Sequence, residues 1–293
     1  MAQSLITLPE QQLAVLSADY ERRTAARRRQ TYAILAALLV LCAAASVVAE
    51  VDPGKLIANV GNFTTYFYNI LPVLRAESLW ADLSEWMWGL EKWAGLLLDT
   101  LLIAYLGTLF GVIGGFLLCF AASANLVGNP RIRFAARRFL EFCRTVPELV
   151  FALIFVIAFG LGPMPGVLAI AIHTMGALGK LFAEVAENID MKPVEGVRAC
   201  GASWPEMIRY GVIPQVLPGF ASYGLLRFEI NVRSASIMGF VGAGGIGQDL
   251  LEAIRSFYYS DISAILVLII LTVFTIDIVT ERLRHSLIGR DNR

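Results

Sequence analysis

The chain has 293 residues, of which 57% are hydrophobic and only 16% are charged, a composition that excludes an ordinary water-soluble domain. Its formal net charge is zero, so the positions of its charges, and not their sum, must indicate its partners. Its four cysteines lack the spacing of metal ligands, so no metal site is expected.

Six apolar runs are long enough, or nearly so, to cross a hydrocarbon core of about 30 Å, which takes about 20 helical residues. In chain order they cover residues 32–49, 94–122, 149–161, 167–183, 216–240 and 262–279, and the third is short. Alternating barrel-strand patterns are absent, and a helix satisfies its own backbone hydrogen bonds in lipid. The sequence therefore predicts an all-α polytopic membrane protein with about six transmembrane helices.

Residues 1–30 form a basic lead before the first run. Pro9 can open a helix that places Leu13 and Tyr20 on one face, which predicts a cytoplasmic interfacial helix; a disordered lead that only fixes orientation is the alternative. A basic region of about 30 residues is unusually long for a signal peptide. Residues 31–49 are therefore expected to remain as the first transmembrane anchor.

The segment 50–93, between the first and second runs, is rich in aromatic residues: Phe63, Tyr66, Phe67, Tyr68, Trp80, Trp86, Trp88 and Trp93. Amphipathic rings of this kind rest at the level of the lipid headgroups, so an interfacial aromatic belt on the outer side is expected. Docking of an external protein is the alternative.

Basic residues are distributed unequally between the two sides of the predicted spans. One side carries Arg22, Arg23, Arg27, Arg28, Arg29, Arg131, Arg133, Arg137, Arg138, Arg144, Lys192, Arg198, Arg209, Arg282, Arg284, Arg290 and Arg293. The other side carries Lys55, Arg75, Lys92 and Arg255. The positive-inside rule therefore places both termini, including a tail at 284–293, in the cytoplasm. The cysteines then lie in the membrane or on the reducing side, where a disulfide framework is not expected.

Two glycine-rich motifs resemble nucleotide-binding signatures but lack their context. VGAGGIG at 241–247 follows an apolar helix instead of a strand, so a glycine-built turn that ends the fifth span is expected. TMGALGKL at 174–181 lacks the first glycine and the hydroxyl residue of a phosphate-binding loop.

The two histidines, His173 and His285, belong to no catalytic or metal-binding cluster. We expect no enzymatic activity, no cofactor bound by this chain and no nucleic-acid partner.

Residues 94–283 form the predicted transmembrane core, and 184–215 is its longest polar segment on the cytoplasmic side. In the stretch EGVRACGASWPEMIRYGVIP, Glu195 precedes Gly201 by six residues, and Gly201 precedes Pro214 by thirteen. This spacing resembles the cytoplasmic loop of ABC importer permeases, with the pattern E-A-A, three residues, G, nine residues, I-x-L-P. The sequence departs from that pattern at Gly196, Val197, Gly211 and Ile213, each of which is small or apolar.

The resemblance implies that this loop forms two short helices that meet at Gly201, one of which lies in a groove of an ATPase subunit. The expected coupling residues are Glu195, Gly196, Val197, Ala199, Gly201, Pro205 and Pro214. Pro205 can open the second helix, and Pro214 is expected to end it before the fifth span. An ordinary amphipathic loop between two spans is the alternative.

Three further stretches are similar to the phosphonate-type permease family: 151–163, 172–190 and 227–247. The resemblance covers about 138–283 and implies a type I ABC importer fold in a bacterial inner membrane. It also implies a permease dimer, an external substrate-binding protein, and two cytoplasmic ATPase subunits in which ATP and Mg²⁺ bind. A single sequence leaves open whether the second permease is an identical copy.

The fifth run contains three ionisable residues, each costing about 2.5–3.5 kcal/mol at the centre of a transmembrane helix. Glu229 and Arg233 are four residues apart, with the acid first, which favours an ion pair within the helix. Arg227 has no such acid on its helix, and Asn231 and Ser234 share its face. This stripe suits a passing oxyanion because a guanidinium binds two oxygens at once; a structural bond to a neighbouring helix is the alternative.

In the fourth run, His173 is a further candidate for the substrate pathway, whereas Gly176 and Gly179 indicate close helix packing. Together these features predict the permease subunit of an ATP-driven importer. Its substrate is expected to be phosphonate, phosphite, hypophosphite or phosphate, and the sequence does not distinguish between these four. An ion-coupled secondary transporter of an anion would leave the 184–215 loop unexplained, and no internal repeat supports it. An intramembrane enzyme would need a nucleophile or metal cluster that the sequence lacks.

Overall fold

The computed structural model describes residues 10–288 except 73, 74 and 76. Within these residues the chain is helical and contains no strand, which confirms the all-α prediction. The chain divides into two compact units, residues 1–67 and residues 68–293. The helices are α1 Glu10–Val48, α2 Pro53–Ile70, α3 Leu79–Trp86, α4 Leu90–Ala122, α5 Pro130–Thr145, α6 Glu148–Phe159, α7 Pro163–Glu187, α8 Met191–Ala199, α9 Trp204–Met207, α10 Ile213–Met238, α11 Ile246–Arg255 and α12 Tyr259–Ile288.

The first unit contains α1 and most of α2. Helix α1 runs for 39 residues without a break, from the basic lead through the first predicted span, and its Ala18–Val48 portion is long and apolar enough to cross a membrane. The lead and the anchor are therefore one helix within the described residues. Pro9 and the side chain of Leu13 lie outside the described part of the chain.

The six predicted runs each lie within one helix, apart from one or two residues at their ends. Among the described residues, four helices are long and apolar enough to cross a membrane, and these are in α1, α4, α7 and α12. Helices α5 and α6 bend by 85° at their junction and would give a fifth span together. Helix α10 has 26 residues, about 39 Å of helix, but its three ionisable residues lower its hydropathy.

Helix α7 is the central element of the second unit and packs closely on α4 and α5. Gly111 of α4 lies where an added Cβ would come within 2.6 Å of the Thr174 side chain on α7. On another face of α7, an added Cβ at Gly176 would lie 2.6 Å from the Arg144 backbone nitrogen, and one at Gly179 would lie 2.5 Å from Leu140. The prediction that Gly176 and Gly179 allow close helix packing is confirmed.

Three of the four tryptophans of the 50–93 segment contact other helices of the second unit, whereas Trp80 is exposed. Trp86 Nε1 donates to Ser263 Oγ at 2.9 Å, and Trp88 Nε1 donates to Asp261 Oδ1 at 3.0 Å, both at the start of α12. Trp93 is only 2% exposed and packs among core residues of α4, α11 and α12. The expectation of an interfacial position is therefore wrong for Trp93, because neighbouring helices cover its ring.

The glycine-rich run after α10 forms a tight turn, as predicted. Gly242, Gly244 and Gly245 have φ values of 81°, 85° and 81°, in the left-handed region that favours glycine. The Gly242 carbonyl accepts a hydrogen bond from the Gly162 amide at 3.0 Å, which joins this turn to the start of α7. At the other end of the unit, the predicted tail continues α12 as far as Ile288, and Arg290 and Arg293 lie outside the described residues.

Candidate coupling surface and charge clusters

The polar segment after α7 begins with a short amphipathic helix, α8. The Asp190 side chain caps α8 by accepting a hydrogen bond from the Lys192 amide at 3.0 Å. Val194 is 1% exposed and packs with Ile208 and Val212, so one face of α8 is part of the core. The opposite face carries Glu195 in an exposed position.

Gly201 forms the turn between α8 and α9, with φ of 83°. Nothing lies within 4 Å of the Cβ position at Gly201, so the backbone angle, and not a steric contact, makes glycine the preferred residue here. Ser203 then donates its amide and its hydroxyl to Glu206 Oε2, at 2.7 and 2.6 Å. These two hydrogen bonds lower the pKa of the exposed Glu206 carboxyl. Pro205 lies in the first turn of α9, as predicted.

Helix α9 does not end before the fifth span. It continues through a π-helical turn, Ile208–Val212, directly into α10, and Pro214 lies in the first turn of α10. The expectation that Pro214 stops the helix is therefore wrong. Proline lacks the backbone N–H that a residue inside a helix donates. Pro214 is tolerated because it follows the wider π turn and lies in the first turn of α10, where that hydrogen bond is not required.

Three contacts fix this segment to the transmembrane helices. Gln215 of α10 accepts a hydrogen bond from the Asp190 amide and donates one to the Asp190 carbonyl, both at 3.1 Å. Trp204 Nε1 donates to the Leu126 carbonyl, in the connection between α4 and α5, at 3.0 Å. Arg137 of α5 pairs with Glu187 at the end of α7. The start of α8 is therefore bonded to α10, the start of α9 is bonded to the α4–α5 connection, and the end of α7 is paired with α5.

The side of this segment that faces away from the core is exposed. Its exposed residues include Glu195, Gly196, Ala199, Gly201, Pro205 and Pro214, and Val197 is half-buried. We call this surface, with the Gly201 turn at its centre, the coupling surface. It comprises two short helices that are exposed on one side and hydrogen-bonded to neighbouring parts of the chain on the other.

Arg233 of α10 binds two carboxylates. It pairs with Glu229 one turn earlier on α10, as predicted, and its Nη2 also lies 3.0 Å from Asp277 Oδ2 on α12. Asp277 lies inside the sixth apolar run and was not recognised from the sequence. Scanning every predicted span for ionisable residues, and not only the fifth, would have found it.

Arg227 of α10 contacts a different pair of residues. Its Nη2 lies 2.5 Å from His173 Nδ1 on α7, and His173 Nδ1 lies 3.7 Å from Glu148 Oε2, in the first turn of α6. Glu148 was also missed, although it directly borders the third apolar run. The structure thus brings His173 and Arg227 together and adds an acid to them.

The predicted stripe of Arg227, Asn231 and Ser234 does not form one accessible surface. Asn231 is fully buried, and its Nδ2 donates to Thr108 Oγ1 at 2.8 Å and Thr174 Oγ1 at 2.9 Å. It therefore links α10 to α4 and α7, and it cannot meet a passing anion in this conformation. Ser234 is half-buried. The helical wheel placed Asn231 correctly relative to Arg227 but could not show which helices cover it.

Residues 107–290 match the sequence profile of the family described as "Binding-protein-dependent transport system inner membrane component". The chain belongs to this family. The phosphite transport system permease protein PtxC of Stutzerimonas stutzeri is 39% identical over 223 residues, covering 75% of this chain and 80% of that protein. A protein of Escherichia coli K12, provisionally named as cryptic phosphonate transport system permease protein PhnE2, is 54% identical over 121 residues, covering 41% of this chain and 99% of that protein.

A solved structure of the inward-facing MetNI methionine ABC transporter has the same fold as this permease. It aligns with a TM-score of 0.59 and 20% identity, over 69% of this chain and 97% of the other. The chain is therefore a multi-pass membrane protein with the type I ABC importer fold, and its role is that of a transport subunit. The coupling surface and both arginine clusters lie inside the residues that match the permease family.

Proposed function

We propose that this permease carries phosphonate or a related phosphorus oxyanion across a bacterial inner membrane, driven by ATP hydrolysis in a separate ATPase subunit. The coupling surface is the observation that carries the proposal. Its two short helices are exposed on one side and bonded on the other to α10, the helix that holds Arg227 and Arg233. A push on this surface would therefore move the helix that bears the membrane-embedded cations.

The proposed assembly contains a second permease copy, two ATPase subunits that bind ATP and Mg²⁺, and an external substrate-binding protein. The names of the relatives, which specify phosphite and phosphonate, support the choice of a phosphorus oxyanion. The cationic group of Arg227 within α10 suits an anionic substrate. A guanidinium fork also matches the geometry of two phosphonate oxygens.

Reconstitution tests the substrate and the energy source together. The permease, an ATPase and a binding protein encoded beside it should be inserted into liposomes, and ATP hydrolysis and uptake measured with phosphite, methylphosphonate, hypophosphite and phosphate. Stimulation by at least one of these, and none by glycine betaine, is expected. Uptake that persists without the ATPase would instead support an ion-coupled transporter.

Gly201→Ala should lower ATP-driven uptake while leaving membrane insertion intact. Alanine at φ of 83° is strained by about 1–2 kcal/mol, so the angle between α8 and α9 should change. Gly128→Ala is the matched control, because its Cβ position also has nothing within 4 Å, its backbone is not left-handed and it lies outside the coupling surface. Uptake per assembled complex is the measurement. Equal uptake by the two variants would show that the Gly201 turn is not needed for coupling.

The orientation follows from the arginine distribution and predicts which sites are accessible from outside the cell. In a variant lacking the natural cysteines, Arg131→Cys and Glu206→Cys should resist an impermeant thiol reagent in intact cells. Asp52→Cys and Glu252→Cys should react. All four positions are exposed in the structure, so the membrane and not burial should decide the result. The reverse pattern would place the coupling surface outside the cell and exclude a cytoplasmic ATPase partner.

A further inference from the structure

Three ionisable side chains from three helices meet at Arg227: Glu148 of α6, His173 of α7 and Arg227 itself on α10. Arginine nitrogens only donate hydrogen bonds, so the contact of 2.5 Å makes His173 Nδ1 the acceptor. His173 is therefore neutral in this arrangement, with its proton on Nε2. It orients the guanidinium without neutralising it, and Glu148 is the acid that attracts the Arg227 charge.

The cluster retains unused bonding capacity. Within the described part of the chain, the buried atoms Arg227 Nε and Glu148 Oε2 have no hydrogen-bond partner. Leaving a buried donor or acceptor unpaired costs about 1–3 kcal/mol, more when the group is charged. A fully structural ion pair would be expected to use these atoms on each other. Here, instead, the Glu148 carboxylate lies near the Arg227 guanidinium but does not form a bidentate hydrogen bond with it.

The cluster is also partly exposed. The Glu148 and His173 side chains are 22% and 19% exposed, unlike Asn231, which is fully buried on the next turn of α10. Because Arg227 Nε is itself buried, an anion could reach it only when side chains of the cluster move. The titratable groups that face the Arg227 guanidinium are Glu148 and His173. The Arg144 backbone, at the end of α5, is hydrogen-bonded to His173.

We propose that Glu148 acts as an internal substitute for the transported oxyanion at Arg227. With no substrate present, the Glu148 carboxylate balances the Arg227 charge. A phosphorus oxyanion displaces it by binding Nε and a terminal nitrogen of the guanidinium together. Return of Glu148 then releases the anion, so the site is never left as an unpaired cation in the membrane. We call this arrangement the exchange site, and it rests on the proposed function.

If the Glu148 carboxylate competes with the transported anion for Arg227, then Glu148→Gln should change the affinity for that anion. Removing the competing charge should make the anion bind more tightly, whereas loss of a side chain that only packs the helices should weaken assembly without tightening binding. We expect affinity to rise about fivefold or more, within the range usual for coupled binding events. Uptake should fall at the same time, because release becomes slow. Arg227→Gln should abolish this binding, and Arg227→Lys should restore it only in part, since an ammonium lacks the bidentate fork.

Binding is measured with the complete complex of permease and ATPase, purified in detergent without the binding protein, with radiolabelled inorganic phosphate and phosphite as probes. Uptake is measured separately, with the same variants in liposomes that also contain the binding protein. Glu141→Gln is the matched control, because Glu141 pairs with Arg138 on the surface of α5 and lies outside the cluster. If Glu148→Gln fails to assemble, Glu148→Asp withdraws the carboxylate by one methylene and should raise affinity to a smaller extent.

The outcomes separate this proposal from the one on which it rests. Uptake of a phosphorus oxyanion by the wild-type complex, together with tighter binding in Glu148→Gln that Arg227→Gln removes, supports the exchange site. Normal uptake by the wild type with unchanged or weaker binding in both Glu148 variants overturns the exchange site and leaves the proposed function intact. No uptake of any phosphorus oxyanion by the wild-type complex overturns both.

Discussion

Gly111→Ala should destabilise the transmembrane core, because the added methyl has no room between α4 and α7. Its Cβ would lie 2.6 Å from the Cβ and Cγ2 atoms of Thr174 and 3.0 Å from the Ala171 carbonyl oxygen. The Thr174 hydroxyl also accepts a hydrogen bond from the buried Asn231, so the threonine cannot move freely. Overpacking of this kind costs about 1–3 kcal/mol. A clear fall in melting temperature of the purified permease is expected.

Gly95→Ala provides the control for this prediction on the same helix. Nothing lies within 4 Å of the Cβ position at Gly95, and alanine has the higher helix propensity, so its melting temperature should be unchanged or slightly raised. Thermal unfolding followed by fluorescence-detected gel filtration compares the two proteins. A loss of stability in Gly95→Ala as large as that in Gly111→Ala would show that glycine itself, and not the α4–α7 contact, is needed.

Local patterns in the sequence predicted much of the fold. Hydrophobic length alone located six of the helices, α1, α4, α6, α7, α10 and α12, since lipid leaves the backbone few other ways to satisfy its hydrogen bonds. The turn at 241–247 was predicted because four glycines in seven residues indicate left-handed backbone, and three of them, Gly242, Gly244 and Gly245, adopt it. The turn at Gly201 was implied by the resemblance to the cytoplasmic loop of ABC importer permeases. Each of these features depends on residues that are neighbours in the chain.

Features that depend on distant residues could not be predicted in the same way. Pro214 continues a helix because the π turn before it changes the register of the backbone bonds, which residue preferences alone do not indicate. The exposed or buried state of Asn231 depends on where α4 and α7 cross α10. The partners of Arg227 and Arg233 on other helices, Glu148 and Asp277, are separated from them in sequence, so a search within one helix missed both.

Arg233→Gln should sharply reduce the amount of assembled permease, because it leaves two carboxylates without their shared cation. Removing one member of a buried ion pair costs about 3–5 kcal/mol, and a value of about 2–3 kcal/mol is expected here because the Arg233 side chain is 48% exposed. If Glu229 were the only partner of Arg233, as the sequence indicates, combining Arg233→Gln with Glu229→Gln would recover much of the loss. Asp277 changes that expectation.

The double variant still leaves the Asp277 carboxylate on α12, inside the sixth apolar run, facing a neutral side chain. It should therefore recover only part of the stability, and adding Asp277→Asn should recover most of the remainder, since removing all the charges costs less than isolating one. Melting temperature and the yield of monodisperse protein should be measured for the single, double and triple variants. These measurements show whether Arg233 is stabilised by Glu229 alone or by Glu229 and Asp277 together. Equal recovery in the double and triple variants would show that Arg233 stabilises α10 through Glu229 alone, and that the contact of 3.0 Å with Asp277 contributes no measurable stability.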